Sequence, residues 1–257
     1  MATPSSGTAS FTVTRDEMVE SSYRKLRVLK EGDVPNANQI KYANTTLNML
    51  LKSMQSNGLQ LWTYQLLAIP MVVGQEVYTI GPVGANITTT RPLRLFDGSF
   101  IRNTQNNLTF DTPLRVISRQ EYLQYGNKNT QSIPNSIYYD SKIDVSGGTT
   151  SPSTGYGNLY VYATMAQGVS YTVYGNFQRP IYDISAADQE FDLPQEWFRP
   201  LSFMLAADLS YEVPNVPPQV AADVRGMAKM LHDEVQDWSV ETASMTLQPD
   251  SQMYYRR

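Results

Sequence analysis

Apolar positions along this chain recur with a helical period at both ends and with a strand period between them. Thr14-Arg15-Asp16-Glu17 has the spacing of a capping box, in which Thr14 and Glu17 each satisfy the other's free backbone N–H. Behind it Val19, Tyr23, Leu26 and Leu29 lie on one helical face, and Glu31-Gly32-Asp33-Val34-Pro35 stops that helix. A second helix is predicted from near Asn36 to about Ser56. There Ile40, Ala43, Leu47, Leu50, Leu51 and Met54 keep intervals of three and four, and Gly58 fits the position just beyond the end.

From Leu59 the period changes. Residues 61–69, 76–80, 93–101, 114–117, 136–139, 159–163 and 171–177 read as strands separated by Gly, Pro, Asn and Ser clusters. The clearest hairpin signal runs from Asn158 to Ala163, turns through Ala166-Gln167-Gly168 and returns from Ser170 to Tyr174. In its first strand Leu159, Val161 and Ala163 alternate with Tyr160 and Tyr162. Residues 146–157 are rich in Gly, Ser and Thr and predict an exposed loop, while 119–125 predict a turn or two of helix.

Near Asp192 the helical pattern returns. Pro194 sits early in a first turn, and Pro200 opens a stretch carrying Leu201, Met204, Leu205 and Leu209 that Pro214, Pro217 and Pro218 end. A long helix follows with Val220, Val224, Met227, Leu231, Val235 and Trp238 on one stripe. Amphipathic helices at both ends each need a partner for that stripe. The fold class predicted is therefore α+β: a helical bundle built from N- and C-terminal helices, with an inserted, mainly antiparallel β domain. The division expected is a flexible arm at 1–13, helical parts at 14–60 and 191–243, the β insert at 61–190, and an extension at 244–257.

Composition shifts the picture toward a protein with much contact surface. Of the 257 residues only 17% are charged, against a usual fraction of about 25%. Asn, Gln, Ser, Thr and Tyr fill the gap, and such a surface is desolvated against partners at lower cost. The 17 tyrosines supply contact area with few rotatable bonds. The net charge of −4 argues against the whole chain acting as an electrostatic nucleic-acid binder. Zero cysteines exclude disulfides and thiolate metal sites. The first ten residues lack the charged start and apolar run of a secretory signal, and no stretch has the length of a membrane span, so a soluble protein made in the cytoplasm is expected.

Candidate chemistry is sparse. His232 is the single histidine, so histidine metal cages and Ser-His or Cys-His relays lack a second one. Gly147-Gly148 has no phosphate-cradle spacing. Asp233, Glu234, Asp237 and Glu241 include pairs at helical spacing, which a solvated helix face explains more simply than a glycosidase. No catalytic, cofactor or metal residue is expected, and the chain reads as no enzyme. Arg24, Lys25, Arg27 and Lys30 form a basic cluster with two readings: lining a channel against DNA phosphates, or simply solvating a helix and pairing with acids on a neighbouring subunit. Tyr160, Tyr162 and Tyr174 fit either cross-strand packing or a platform for stacking sugars.

Three stretches resemble one known family. The N-terminal helices end Asn48-Met-Leu-Leu-Lys-Ser-Met-Gln-Ser-Asn-Gly-Leu-Gln-Leu-Trp62. The β block opens Gly74-Gln-Glu-Val-Tyr-Thr-Ile80 and closes from Tyr174 to Asp183 with Arg179-Pro180-Ile181. Asp192-Leu-Pro-Gln-Glu-Trp-Phe198 then leads into the final helices. In this succession, over roughly residues 14 to 243, the chain resembles the head-to-tail adaptors of podoviruses, also called tail tubular protein A or portal accessory factors. The resemblance implies a virion protein at the head–tail junction that forms a homo-oligomeric ring, in the family a dodecamer, beneath the capsid portal. Such a ring continues the DNA channel, retains the packaged genome and carries the tail nozzle protein, with tail fibres as a further partner and passing, non-specific contact with DNA. It implies no cofactor and no membrane. Leu247, Tyr254, Tyr255, Arg256 and Arg257, in the extension, are the portal-contact candidates. The rival readings are a carbohydrate- or receptor-binding virion module and a cell-wall hydrolase.

Overall fold

The structure, a computed structural model, describes residues 11–56, 61–105, 108–144, 155–168 and 170–238. It is α+β: N-terminal helices α1 (Arg15–Lys25) and α2 (Ala37–Ser56) pack with C-terminal α4 (Phe198–Glu212) and α5 (Pro218–Trp238), and strands fill the chain between. The chain divides into two compact units. One holds the described residues up to Leu61 with those from Ile184 onward, and the other is Trp62–Asp183.

In the helical unit α1 and α2 start where the sequence supplies caps. Thr14 N donates to Glu17 Oε2 at 2.9 Å while Glu17 N donates to Thr14 Oγ1 at 3.4 Å, completing the capping box of α1. Asn36 and Gln39 exchange the same kind of bonds at the start of α2, at 2.8 and 2.9 Å. Ala43, Leu47, Leu50, Leu51 and Met54 of α2 are buried, each large one contributing about 1.5–3 kcal/mol of transfer free energy. Helix α4 packs against α1, α2 and α5, and Leu201, Leu205, Ala206 and Leu209 are fully covered there. The two sequence-distant parts of this unit are stitched through backbone groups. Ser22 Oγ donates to Ser202 O at 3.0 Å, Arg15 Nη1 to Ser185 O at 2.8 Å, and Thr14 bridges Glu190. Residues 184–190 thus belong to the helical unit, although the sequence places them at the end of the insert. The long stripe of α5 also ends sooner than its periodicity suggests. Val220, Ala221, Val224, Ala228 and Leu231 are buried, whereas Met227 and Val235 are half-covered and Trp238 is exposed.

A 3-10 turn (Leu61–Thr63) leads into the β unit and its first strand, β1 (Tyr64–Pro70). There follow β2 (Val77–Gly81), β3 (Ile87–Thr88), β4 (Arg94–Gln105), β5 (Leu108–Pro113), β6 (Arg115–Val116), α3 (Arg119–Gln124), β7 (Gln131–Ser132), β8 (Ser136–Asp144), β9 (Tyr156–Tyr162), β10 (Thr164–Met165) and β11 (Tyr171–Gln178). One sheet has the order β1-β11-β4-β5 and a second the order β3-β2-β9-β8-β6, with a short parallel pair β10-β7. The long pairings are antiparallel, and the parallel ones, β2-β3, β6-β8 and β7-β10, are two residues deep. Ile69, Ile101, Val173 and Phe177 from the first sheet meet Tyr78, Ile80, Ile137, Leu159 and Val161 from the second in one core, which makes a face-to-face packing.

The predicted hairpin does not form. Strand β9 pairs with β2 and β8, whereas β11 pairs with β1 and β4 in the other sheet. Both strands bury alternate residues in the same core, Leu159 and Val161 from one and Tyr171 and Val173 from the other. Two strands joined by a turn can achieve that by crossing between facing sheets as well as by folding back, and alternation alone does not separate the two. The predicted exposed loop at 146–157 is likewise too long at its end, since Tyr156 and Gly157 are buried positions of β9.

Candidate assembly surfaces

The sequence cluster Arg24, Lys25, Arg27 and Lys30 lies on the last turn of α1 and the turn after it, and the four residues make separate contacts. Arg24 forms an i,i+4 ion pair with Glu20. Exposed Arg27 takes a positive φ of 58°, and its N–H donates to Arg24 O at 2.9 Å. Lys30 N donates to Asp33 Oδ2 at 3.3 Å, and its residue is exposed. Lys25 differs: its Nζ donates to Ser21 Oγ at 2.6 Å and sits 4.9 Å from the centre of the Phe203 ring on α4. Burial first, then the charge of Arg199, hold the Lys25 ammonium below the usual lysine range. Lys25 and Arg199 rim a groove of about 340 Å³ whose apolar floor includes Phe11, Met18, Phe198 and Phe203. Arg199 has no counterpart among the residues marked in the sequence, because 174 positions separate it from Lys25 and only the packing of α1 on α4 brings them together.

A second groove, of about 560 Å³, lies between the start of α2 and the end of α4, with Tyr23, Gln39, Tyr42, Leu209, Glu212 and Val213 among its walls. Thr46 Oγ1 contacts both Glu212 carboxylate oxygens at 3.4 Å. Asp208 stands one turn before Glu212, and loss of hydration together with the Glu212 charge raises its carboxyl above the ordinary range.

The tyrosines of the β unit split into two environments. Tyr160 and Tyr162 lie on the face of β9 opposite the core and are covered by α3. Tyr122 packs 5.2 Å from Tyr160, and Tyr125 stacks on Tyr162 at 3.9 Å. A second capping box, Ser118 with Glu121, starts α3, and the Tyr122 hydroxyl donates to the Glu76 carboxylate and fastens the helix down. Burial and that carboxylate push the Tyr122 hydroxyl well above the tyrosine range. Tyr174 is on the other sheet, stacked on Phe100 at 4.9 Å, with the Arg102 guanidinium 4.7 Å from its ring. Arg102 in turn makes a two-pronged pair with Asp111, both bonds 2.7 Å. The tyrosines weighed as a single sugar platform therefore do not share a face.

His232 is half-buried, with its ring centre 6.2 Å from that of Trp197 in an edge-on arrangement and Nδ1 3.6 Å from Asp233 Oδ1. Asp233, Glu234 and Asp237 lie on α5; Glu241 lies outside the described residues. Among the described residues no group of three or more His, Cys, Asp or Glu side chains is placed to hold a metal ion, and no helix is long and apolar enough to cross a membrane. Leu247, Tyr254, Tyr255, Arg256 and Arg257 lie outside the described residues. Compared with known protein families and with curated proteins, the chain matches none.

Proposed function

We propose that this chain is a structural virion protein, a ring-forming adaptor that joins a capsid portal to a tail nozzle, continues the DNA channel and helps to retain the packaged genome. The observation that carries the reading is the helical body assembled from both chain ends, with a strand-rich insert leaving it between Leu61 and Ile184. Without a shared apolar seam between the ends, the resemblance in residue succession would have no common body to rest on. Helices α1 and α2 do share that seam with α4. The surface chemistry is of the same kind: grooves with aromatic and amide walls, rimmed by charges that internal pairs leave partly unused, suit contacts between proteins.

The adaptor's work on this reading is mechanical. A closed ring is held by many modest head-to-tail contacts that gain strength through repetition. The C-terminal extension, with Leu247, Tyr254, Tyr255, Arg256 and Arg257, supplies the portal contact, and the body supplies the ring. Deleting residues 247–257 tests the division of labour. Portal binding should fall while the remaining chain keeps its melting temperature, and unchanged portal binding rejects the assignment.

A further inference from the structure

Two grooves of the helical unit carry opposite charge: Lys25 and Arg199 line one, and Glu212 lines the other. Nine residues along a 3.6-residue helix is two and a half turns, so Arg199 and Asp208 project from α4 in opposed directions, about 14 Å apart along the axis. Phe203 lies one turn after Arg199 and Glu212 one turn after Asp208, so each flank repeats its character. The basic flank offers Lys25 and Arg199 beside Phe11, which is 65% exposed; the acidic flank offers Glu212 in the groove of Tyr42, which is 63% exposed, with Asp208 one turn before it on α4. Of the acids near Lys25, Glu17 is engaged by the Thr14 cap and Glu20 by Arg24, while Glu196, Glu234 and Asp237 line a separate groove that Arg199 also borders. Two cations placed together over an apolar floor, and two carboxylates one turn apart beside another, each repel within their own copy of the chain and each attract the other pair.

We propose that these flanks are the two halves of one head-to-tail contact between copies of this chain, the Lys25–Arg199 groove of one copy receiving the Asp208–Glu212 rim of the next. Because the two halves differ, the contact is heterologous and repeats from copy to copy, closing into a ring if the rotation per step divides a full turn. The inference gives the ring reading above its interface and rests on that reading only for the closure.

The test is complementary charge reversal. One protein carries Lys25→Glu with Arg199→Glu, a second carries Asp208→Lys with Glu212→Lys, and sedimentation over a range of concentrations reads self-association. Each variant alone should associate roughly tenfold or more weakly than the unaltered chain. An equimolar mixture should recover association, since every contact in an alternating assembly then joins opposite charges. If a variant does not fold, zero-length carbodiimide coupling of isotopically labelled and unlabelled unaltered chains replaces it. Lys25 should couple to Asp208 or Glu212 of a different copy. Association that tolerates both reversals, an inactive mixture of folded variants, or a chain that stays monomeric at every concentration without such coupling overturns the contact. A portal-docked ring that tolerates both reversals overturns this contact alone and leaves the adaptor reading standing. Association that obeys the charges in a chain that never docks on a portal does the reverse.

Discussion

Asn48 and Ile184 hold each other by two hydrogen bonds across 136 positions of sequence: Asn48 Nδ2 donates to Ile184 O at 2.8 Å, and Ile184 N donates to Asn48 Oδ1 at 3.0 Å. A side-chain amide here acts as a piece of β ladder, capturing the chain at the point where it returns from the strands to the helices. Removing it with Asn48→Ala leaves a part-buried N–H and C=O to find other partners. The expected loss is about 1–3 kcal/mol. Thermal unfolding measures it, and an unchanged midpoint would show that the clamp is incidental.

A tighter constraint sits inside the β unit. The Tyr139 hydroxyl donates to Pro92 O at 2.8 Å, and the ring passes directly over Gly157 of β9, where an added methyl would collide with it. Gly157→Ala should destabilise by about 1–3 kcal/mol through overpacking. Gly126, whose methyl would meet open space, provides the control: Gly126→Ala should lie within roughly 0.5 kcal/mol of the parent. Equal midpoints for the two variants would contradict the close approach.

Three exposed carboxylates give the protein an acid-side dependence. Hydrogen bonds from Thr14 lower Glu17, those from Ser118 lower Glu121, and the Arg102 guanidinium lowers Asp111. Each therefore holds its proton more weakly folded than unfolded. The stabilisation is complete above the unfolded value and drains away as pH falls through the folded one. The melting temperature should decline as pH drops below the ordinary carboxylate range. Glu17→Gln should lose part of that slope, and a slope unaltered in Glu17→Gln, Glu121→Gln and Asp111→Asn together would contradict the assignment.

Lys25 gives a pH slope of the same sign at the alkaline end, but here the charged form is the destabilising one. Its folded value lies below its unfolded one, so at neutral pH the charge subtracts from stability, and stability rises as pH climbs from the folded value toward the unfolded one. Lys25→Met keeps an apolar stem near Phe203 and removes the charge. The melting temperature should stay or rise while self-association weakens, a split that a merely structural lysine would not produce.

How legible these features are in the sequence depends on how local their causes are. Both ends read well because caps and stripes are local: Thr14 with Glu17, and Leu47, Leu50, Leu51 and Met54 at their intervals. The division of strands between sheets does not read, because β9 and β11 alternate identically whether they pair with each other or face each other across a core. Strand β5 is missed since Leu108-Thr-Phe-Asp-Thr-Pro113 alternates weakly, and it owes its place to pairing with β4, fixed in part by Arg102 on Asp111. Trp238 fits the stripe of α5 by spacing, yet the cover over that stripe thins beyond Leu231, which depends on where neighbouring elements end. Of the basic cluster only Lys25 lines the groove floored by Phe203, and its companion Arg199 becomes visible only through tertiary packing.

The central claim is tested most directly by imaging a portal ring by electron microscopy before and after this protein is added. The account predicts a new ring of density on the portal axis, with a channel through its centre, that is lost when residues 247–257 are removed. A portal that looks the same with and without the full-length chain would contradict it.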